Sequence, residues 1–110
     1  MPKQGQPRHT VFGQRLREVR TAVGLSQKRL GIAMGLDPFV ASTRINRYER
    51  GVSWPDLSVI FKLAEVLGVP TATFFTDDKD LAETIERFAG APKRKQAAVL
   101  KLLRGPTAKG

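Results

Sequence analysis

Residues 25–51 constrain the fold more than any other stretch, because two helix patterns lie there on either side of a glycine turn. Ser26 stands where it can cap the first helix by accepting a backbone N–H of the first turn. Gly35 can end that helix, since glycine readily takes the left-handed conformation of a C-terminal turn. Asp37 and Pro38 then supply the cap and the first position of a second helix. The stretch predicts two short helices joined by a turn.

The second helix of the pair, predicted over residues 38–48, has one apolar and one polar face. Ala41, Ile45 and Tyr48 are spaced i, i+4 and i+7 and form a stripe that we expect to be buried. The other face offers hydroxyl, amide and guanidinium groups but no carboxylate. Asn pairs with adenine and Arg with guanine in the major groove of DNA, so this face is suited to reading a duplex. Its outward positions are Ser42, Thr43, Asn46, Arg47 and Arg50, with Arg44 on the flank.

Residues that match the pattern of a known protein family continue well beyond the pair of helices. They are Leu25-Ser26-Gln27, Leu30, Ala33, Gly35-Leu36, Ile45, Arg47-Tyr48-Glu49-Arg50-Gly51, Pro55, Leu63-Ala64, Leu67-Gly68-Val69 and Phe74-Phe75. This ordered set resembles the helix-turn-helix domain of Cro and lambda-repressor-like bacterial regulators of the xenobiotic-response-element type. The resemblance covers residues 11–75 and implies a sequence-specific, DNA-binding transcriptional regulator whose second helix lies in the major groove.

The resemblance also implies roles for single residues. Gln27 matches a position that commonly contacts DNA, and Arg50 matches one that contacts the DNA backbone. Ser42, Thr43 and Arg47 match base-facing positions.

Together with the residue chemistry, the resemblance predicts how the contacts divide. We expect Asn46 and Arg47 to read base edges, and a separate set of residues to hold phosphates and fix the register. The predicted phosphate contacts are Gln27, Lys28, Arg44 and Arg50.

The chain departs from the family pattern between its two glycines, Gly35 and Gly51. The family usually spans this distance in about four fewer residues, which is about one helical turn. The surplus lies in residues 37–43 and either extends the recognition helix at its start or lengthens the turn. The cap formed by Asp37 and Pro38 favours an extended helix. Asn46 and Arg47 lie after the surplus. Their predicted contacts with DNA therefore depend less on where the surplus residues lie than the predicted contacts of Ser42 and Thr43 do.

The rest of the chain predicts further helices, so the fold class is all-α. A first helix over residues 11–23 carries an apolar stripe of Phe12, Leu16, Val19 and Val23. We predict a five-helix, lambda-repressor-like bundle over residues 11–76, preceded by a flexible basic arm, residues 1–10. A C-terminal extension of about two helices, residues 77–104, would serve dimerisation or partner binding, and a disordered tail would follow over residues 105–110.

Four side chains carry separate expectations. We expect Arg15 to lie on a solvated face and Phe39 to pack under the turn. We expect Trp54 to cover the edge of the core, and Glu49 to hold an arginine or a backbone group.

The charge favours a nucleic-acid partner. The net charge of the 110 residues is +9, of which +7 lies in residues 1–55 and +2 in residues 56–110. The basic half is the half that contains the predicted helix pair, and a basic face raises affinity for polyphosphate by counterion release. RNA is the less favoured target. The helix pair suits the duplex major groove, whereas RNA recognition commonly relies on stacking of bases on exposed aromatic rings.

Composition argues against catalysis, cofactors and membranes. The chain has no cysteine, one histidine and no glycine-rich phosphate loop, so nothing is positioned for general acid–base chemistry, and we expect no enzyme. Three acids, Asp77, Asp78 and Asp80, lack the glycine and glutamate of a calcium loop, so no metal or other cofactor is expected. The chain contains no run of about 18 apolar residues, so we expect no membrane span.

The expected partners are therefore double-stranded DNA and a second copy of the chain, since readers of this type usually bind two half-sites. We expect a repressor in the bacterial cytoplasm, associated with the nucleoid when bound. The alternative is an antitoxin-like adaptor whose C-terminal helices bind a protein partner.

Overall fold

The structure, a computed structural model, describes residues 8–106, with side chains described from residue 11 onward. Residues 1–7 of the predicted arm and residues 107–110 of the predicted tail lie outside the described part. Within it the chain is all helical, without a β-strand, as the sequence predicted. The helices are α1 (Arg8–Val23), α2 (Gln27–Ala33), α3 (Pro38–Glu49), α4 (Leu57–Leu67), a 3₁₀ helix (Thr71–Phe75), α5 (Lys79–Gly90) and α6 (Lys93–Arg104).

The helix starts follow local capping chemistry. The Ser26 hydroxyl accepts the N–H of Arg29 at 3.0 Å, and Asp56 Oδ1 accepts the N–H of Val59 at 3.1 Å. Hydrogen bonds from the Ser58 hydroxyl and then from the Val59 N–H lower the pKa of Asp56 below its usual range. Each cap satisfies a backbone N–H that has no partner within its helix.

The core lies where α1, α2, α3, α4 and the 3₁₀ helix meet. Its members include Phe12, Leu16, Leu30, Ile45, Ile60, Leu63 and Phe74, each no more than 1% exposed. The rings of Phe12 and Trp54 lie 5.3 Å apart between centroids, so Trp54 covers the edge of the core, as expected. This packing holds the predicted helix pair on a rigid base.

The structure corrects three expectations about α1. The helix begins at Arg8, before the predicted residue 11, because nothing in residues 8–10 stops a helix from extending beyond its apolar stripe. Val23 at its end is 50% exposed, since the core does not reach that far. Arg15 is 4% exposed and not solvated: its Nε donates to the carbonyl oxygen of Thr76 at 2.8 Å, and it pairs with Glu18.

The C-terminal helices are covered less than the bundle. Ala82 is the one buried residue of α5, and α6 has none. The amide of Gln96 donates to the carbonyl oxygen of Phe88 at 2.8 Å and ties α6 to α5. No described helix is long and apolar enough to cross a membrane.

Candidate nucleic-acid interface

The helices α2 and α3 pack closely because of one glycine. A Cβ on Gly31 would lie 2.5 Å from the Cβ of Ala41, a distance that real side chains do not reach. The turn between the helices contains Gly35 with φ +89°, and the N–H of Leu36 donates to the carbonyl oxygen of Gly31 at 2.9 Å. Glycines at these two points therefore set the relative position of the two helices.

The position of α3 resolves the choice that the surplus residues left open. The helix begins at Pro38, and the Asp37 carboxylate accepts the N–H of Phe39 at 2.8 Å. The surplus of residues 37–43 therefore lies largely inside the helix and lengthens it at its N-terminal end.

The inner face of α3 is fixed in the core. Ala41 and Ile45 are 0% exposed and Tyr48 is 7% exposed, as their spacing predicted. The opposite face is therefore held toward solvent in a defined orientation. The structure places these predicted site residues there: Ser42, Thr43, Arg47 and Arg50, all exposed, and Asn46, which is partly buried.

The remaining predicted site residues lie around that face. Arg44 is exposed on the flank toward α4, beside Lys62. Lys28 is exposed on α2. Gln27 is partly buried, and its Nε2 donates to Glu49 Oε1 at 3.0 Å.

A partly predicted ion pair lies next to this surface: the sequence predicted a role for Glu49 but did not identify its partner. Glu49 accepts hydrogen bonds from Nε and Nη2 of Arg20, at 2.6 and 3.1 Å, which fulfils the expectation that Glu49 could hold an arginine. Nη1 of the same arginine donates to the carbonyl oxygen of Leu25 at 2.8 Å. The end of α3 is thereby joined to α1 and, through Gln27, to the start of α2.

Sequence reasoning missed Arg17 as a member of the surface. This exposed side chain lines a shallow depression together with Gln27, Asn46 and Arg50. The spacing of Arg17 and Arg20 on α1 was a usable signal, because residues three apart share one side of a helix.

The surface is positive, and two of its arginines lack a carboxylate partner among the described residues. Residues 25–51 contain five basic and two acidic residues, and one of those acids, Glu49, is neutralised by Arg20. Within residues 11–106, where side chains are described, Arg47 and Arg50 form no ion pair with a carboxylate. Guanidinium groups in this state are available to phosphates and to base edges.

No described group of three or more His, Cys, Asp or Glu side chains is placed to hold a metal ion.

Comparisons with known proteins agree with this geometry. The sequence profile of a helix-turn-helix family, HTH_3, matches residues 16–74. A prophage-derived HTH-type transcriptional regulator of Bacillus subtilis, YonR, is 38% identical over 61 residues, which are 56% of this chain and 53% of YonR. An HTH-type transcriptional regulator of Sinorhizobium medicae is 32% identical over 75 residues, 68% of this chain and 51% of its own. The chain thus spans about half the length of these curated relatives.

Two solved structures are similar to the chain. The transcriptional regulator BswR is 34% identical with a TM-score of 0.82, and the match covers 88% of this chain and 96% of BswR. The restriction-modification controller protein C.AhdI from Aeromonas hydrophila is 42% identical with a TM-score of 0.54, covering 61% of this chain and 96% of C.AhdI. The 88% of the chain that matches BswR is more than the part that precedes α5. The match therefore extends into the C-terminal helices.

Proposed function

Because this chain belongs to the helix-turn-helix family of DNA-binding transcriptional regulators, we propose that it binds a specific duplex sequence as a homodimer and represses transcription by occluding a promoter. One observation gives the strongest support for sequence-specific binding to a duplex. The face of α3 opposite the core carries Asn46, Arg47 and Arg50, and the core holds that face in a fixed orientation. A rigid helix with base-reading side chains is what the major groove admits.

In the proposed complex, contacts to bases and to phosphates come from different parts of the surface. Asn46 and Arg47 read base edges, and the hydroxyls of Ser42 and Thr43 lie beside them on the lengthened helix. A bidentate contact of Arg47 with guanine would select a base pair at one position.

The phosphate contacts come from the rim of this face and fix the register without reading sequence. Lys28 is exposed on α2, Arg44 is exposed on the flank of α3 toward α4, and Arg50 lies at the end of α3. Gln27 has one amide N–H engaged by Glu49, which leaves the second for a phosphate oxygen.

The proposed dimer uses the C-terminal helices. Leu102 is 79% exposed and Leu103 is 74% exposed on α6, and Leu81 of α5 is also exposed. Apolar side chains at this density on two neighbouring helices are costly in water and are stabilised when a second copy covers them. A dimer would present two α3 helices to successive half-sites, about 34 Å apart along the DNA.

A protein partner of the antitoxin type is the second candidate for the same apolar surface. The partner would cover the leucines of α6, and DNA binding would then serve autoregulation. The oligomeric state of the isolated chain separates the two, since a stable homodimer leaves no uncovered surface for a partner.

Transcription in vitro from the promoter upstream of the chain's own gene tests the repressor role, because regulators of the resembled family often act on their own promoters. Added protein should lower the transcript from this promoter and leave a promoter with shuffled sequence unaffected. A rise in transcript would contradict repression in favour of activation. The proposed site of action is the bacterial cytoplasm, on the nucleoid.

A further inference from the structure

Phe39 is the most exposed large apolar side chain in the described part of the protein. It is 96% exposed, so it does not pack under the turn, which corrects the expectation from the sequence. An aromatic ring left in water contributes nothing to the core, although the ring is large enough to bury 150–250 Å² in a typical contact. Nothing in residues 11–106 covers it, so the ring is available to contact another molecule.

The position of Phe39 on α3 indicates which molecule this is. The ring lies four residues before Thr43, seven before Asn46 and eleven before Arg50. These intervals place all four side chains on one face of the helix. Phe39 is therefore the N-terminal member of the same face that carries the proposed base contacts.

The backbone at this point is well held. Pro38 fixes the first residue of the helix, and the Asp37 carboxylate accepts the N–H of Phe39 at 2.8 Å. The ring therefore stands at the tip of a rigid helix, inside the additional turn that lengthens α3. In helix-turn-helix proteins the N-terminal residues of this helix are the ones that contact base edges.

Charge and chemistry together select the occupant. The exposed basic side chains Arg47 and Arg50 of α3 and Lys28 of α2, the helix packed against it, favour a polyanion over an apolar protein surface. Within the major groove, the one apolar group on a base edge is the C5-methyl of thymine, and phenylalanine is among the side chains that contact it.

We propose that Phe39 is a specificity-determining residue that packs against the methyl group of thymine in the major groove, one helical turn beyond the Thr43 position. This inference rests on the proposed function, because it needs α3 to lie in the groove.

The experiment compares thymine with uracil, which differ only by that methyl group. A high-affinity duplex is first selected from a random pool with the full chain. The selected duplex is then made with deoxyuridine in place of each thymidine in turn. Affinities are measured at one salt concentration for the wild-type chain, for Phe39→Ala and for a control, Val40→Ala, which removes a 42% exposed apolar side chain from the neighbouring flank.

Removal of one methyl group should weaken the wild-type chain by about three- to fivefold at one or two thymines, the effect of losing burial of a single methyl. Phe39→Ala should bind the thymine duplex about fivefold more weakly, and should lose nothing further when the same methyl is removed. Val40→Ala should respond to uracil as the wild-type chain does. The melting temperature of Phe39→Ala should match that of the wild type, since the ring supports no internal contact.

Two outcomes contradict the role of Phe39 while leaving the proposed function intact. In one, the wild-type chain binds the selected duplex specifically but is insensitive to uracil at every position. In the other, Phe39→Ala keeps the full sensitivity to uracil. A wild-type chain that enriches no duplex from the pool contradicts the proposed function itself, and the inference with it.

Discussion

Arg20 on α1 and Glu49 at the end of α3 form a two-point ion pair that joins the first helix to the proposed recognition helix. The Nε–Oε2 distance is 2.6 Å, and the side chains are 11% and 4% exposed, respectively. The amide of Gln27 bonds to the same carboxylate at 3.0 Å. Residues of α1, α2 and α3 therefore meet at one buried carboxylate beside the proposed DNA-binding surface.

Loss of the arginine should destabilise the protein strongly. Arg20→Ala leaves the carboxylate of Glu49 buried without its cation, and such a change costs about 3–5 kcal/mol. Urea unfolding followed by circular dichroism measures the free energy. The control is Arg87→Ala, because Arg87 pairs with Glu83 in solvent, with side chains 79% and 58% exposed, and such a pair contributes about 0–1 kcal/mol. If Arg20→Ala lowered the free energy of unfolding as little as Arg87→Ala does, the buried pair would contribute little to stability.

The close approach of helices at glycine should make those positions intolerant of alanine. A Cβ on Gly31 would lie 2.5 Å from the Cβ of Ala41, and one on Gly13 would lie 2.4 Å from the carbonyl oxygen of Glu49. We expect Gly31→Ala and Gly13→Ala each to lower the free energy of unfolding by about 1–3 kcal/mol, because the helices must move apart.

Gly90 in α5 is the matched control for these two variants. A Cβ there would meet nothing within 4 Å, and its φ is not positive. Gly90→Ala should stabilise the protein by about 0.4–1 kcal/mol through lower entropy of the unfolded chain. Thermal or urea unfolding of the three variants measures the contrast, and a destabilised Gly90→Ala would show that the glycines are not distinguished by packing.

Arg47 should carry sequence discrimination. Arg47→Ala is expected to weaken binding to the selected duplex by about 1–3 kcal/mol and to relax the preference at one base pair. Fluorescence anisotropy with the selected and the shuffled duplex measures both effects, with Arg87→Ala as the control for loss of one positive charge. An equal loss on the two duplexes would assign Arg47 to phosphate.

The exposed leucines of α6 should control the oligomeric state. Leu102→Glu places a charge in the proposed dimer contact and should give a monomer in sedimentation experiments, while the wild-type chain sediments as a dimer. The fold should persist, because α6 contributes no buried residue. Lys101→Glu, on the same helix, is the control and should remain dimeric. A wild-type chain that is monomeric at high concentration would favour the protein partner instead.

The sequence was sufficient for features that depend on local chemistry. The caps at Ser26 and Asp37 and the turn at Gly35 follow from the residues within one helical turn of each position. The buried stripe that includes Ile45 follows from spacing alone. These features predict the helices, the all-α class and the direction of the polar face of α3.

The features that escaped prediction depend on contacts between distant residues or on the absence of a contact. Arg15 and Arg20 look like ordinary surface cations in sequence, and their burial depends on Thr76 and Glu49, which are 61 and 29 residues away. The periodicity of α1 gave no sign that the core ends before Val23. Exposure of Phe39 could not be predicted either, because the choice between a longer turn and a longer helix decides which way its ring faces.

The most direct test of the proposed function is the affinity of the full chain for its selected duplex and for a shuffled duplex of equal length, over a series of salt concentrations. If α3 reads base edges in the major groove, the selected duplex should bind about a thousandfold or more tightly at physiological salt. Both affinities should fall linearly on logarithmic axes, by about 0.9 for each phosphate contacted. Equal affinities that fall equally with salt would contradict the account, because they would leave only a basic surface without base recognition.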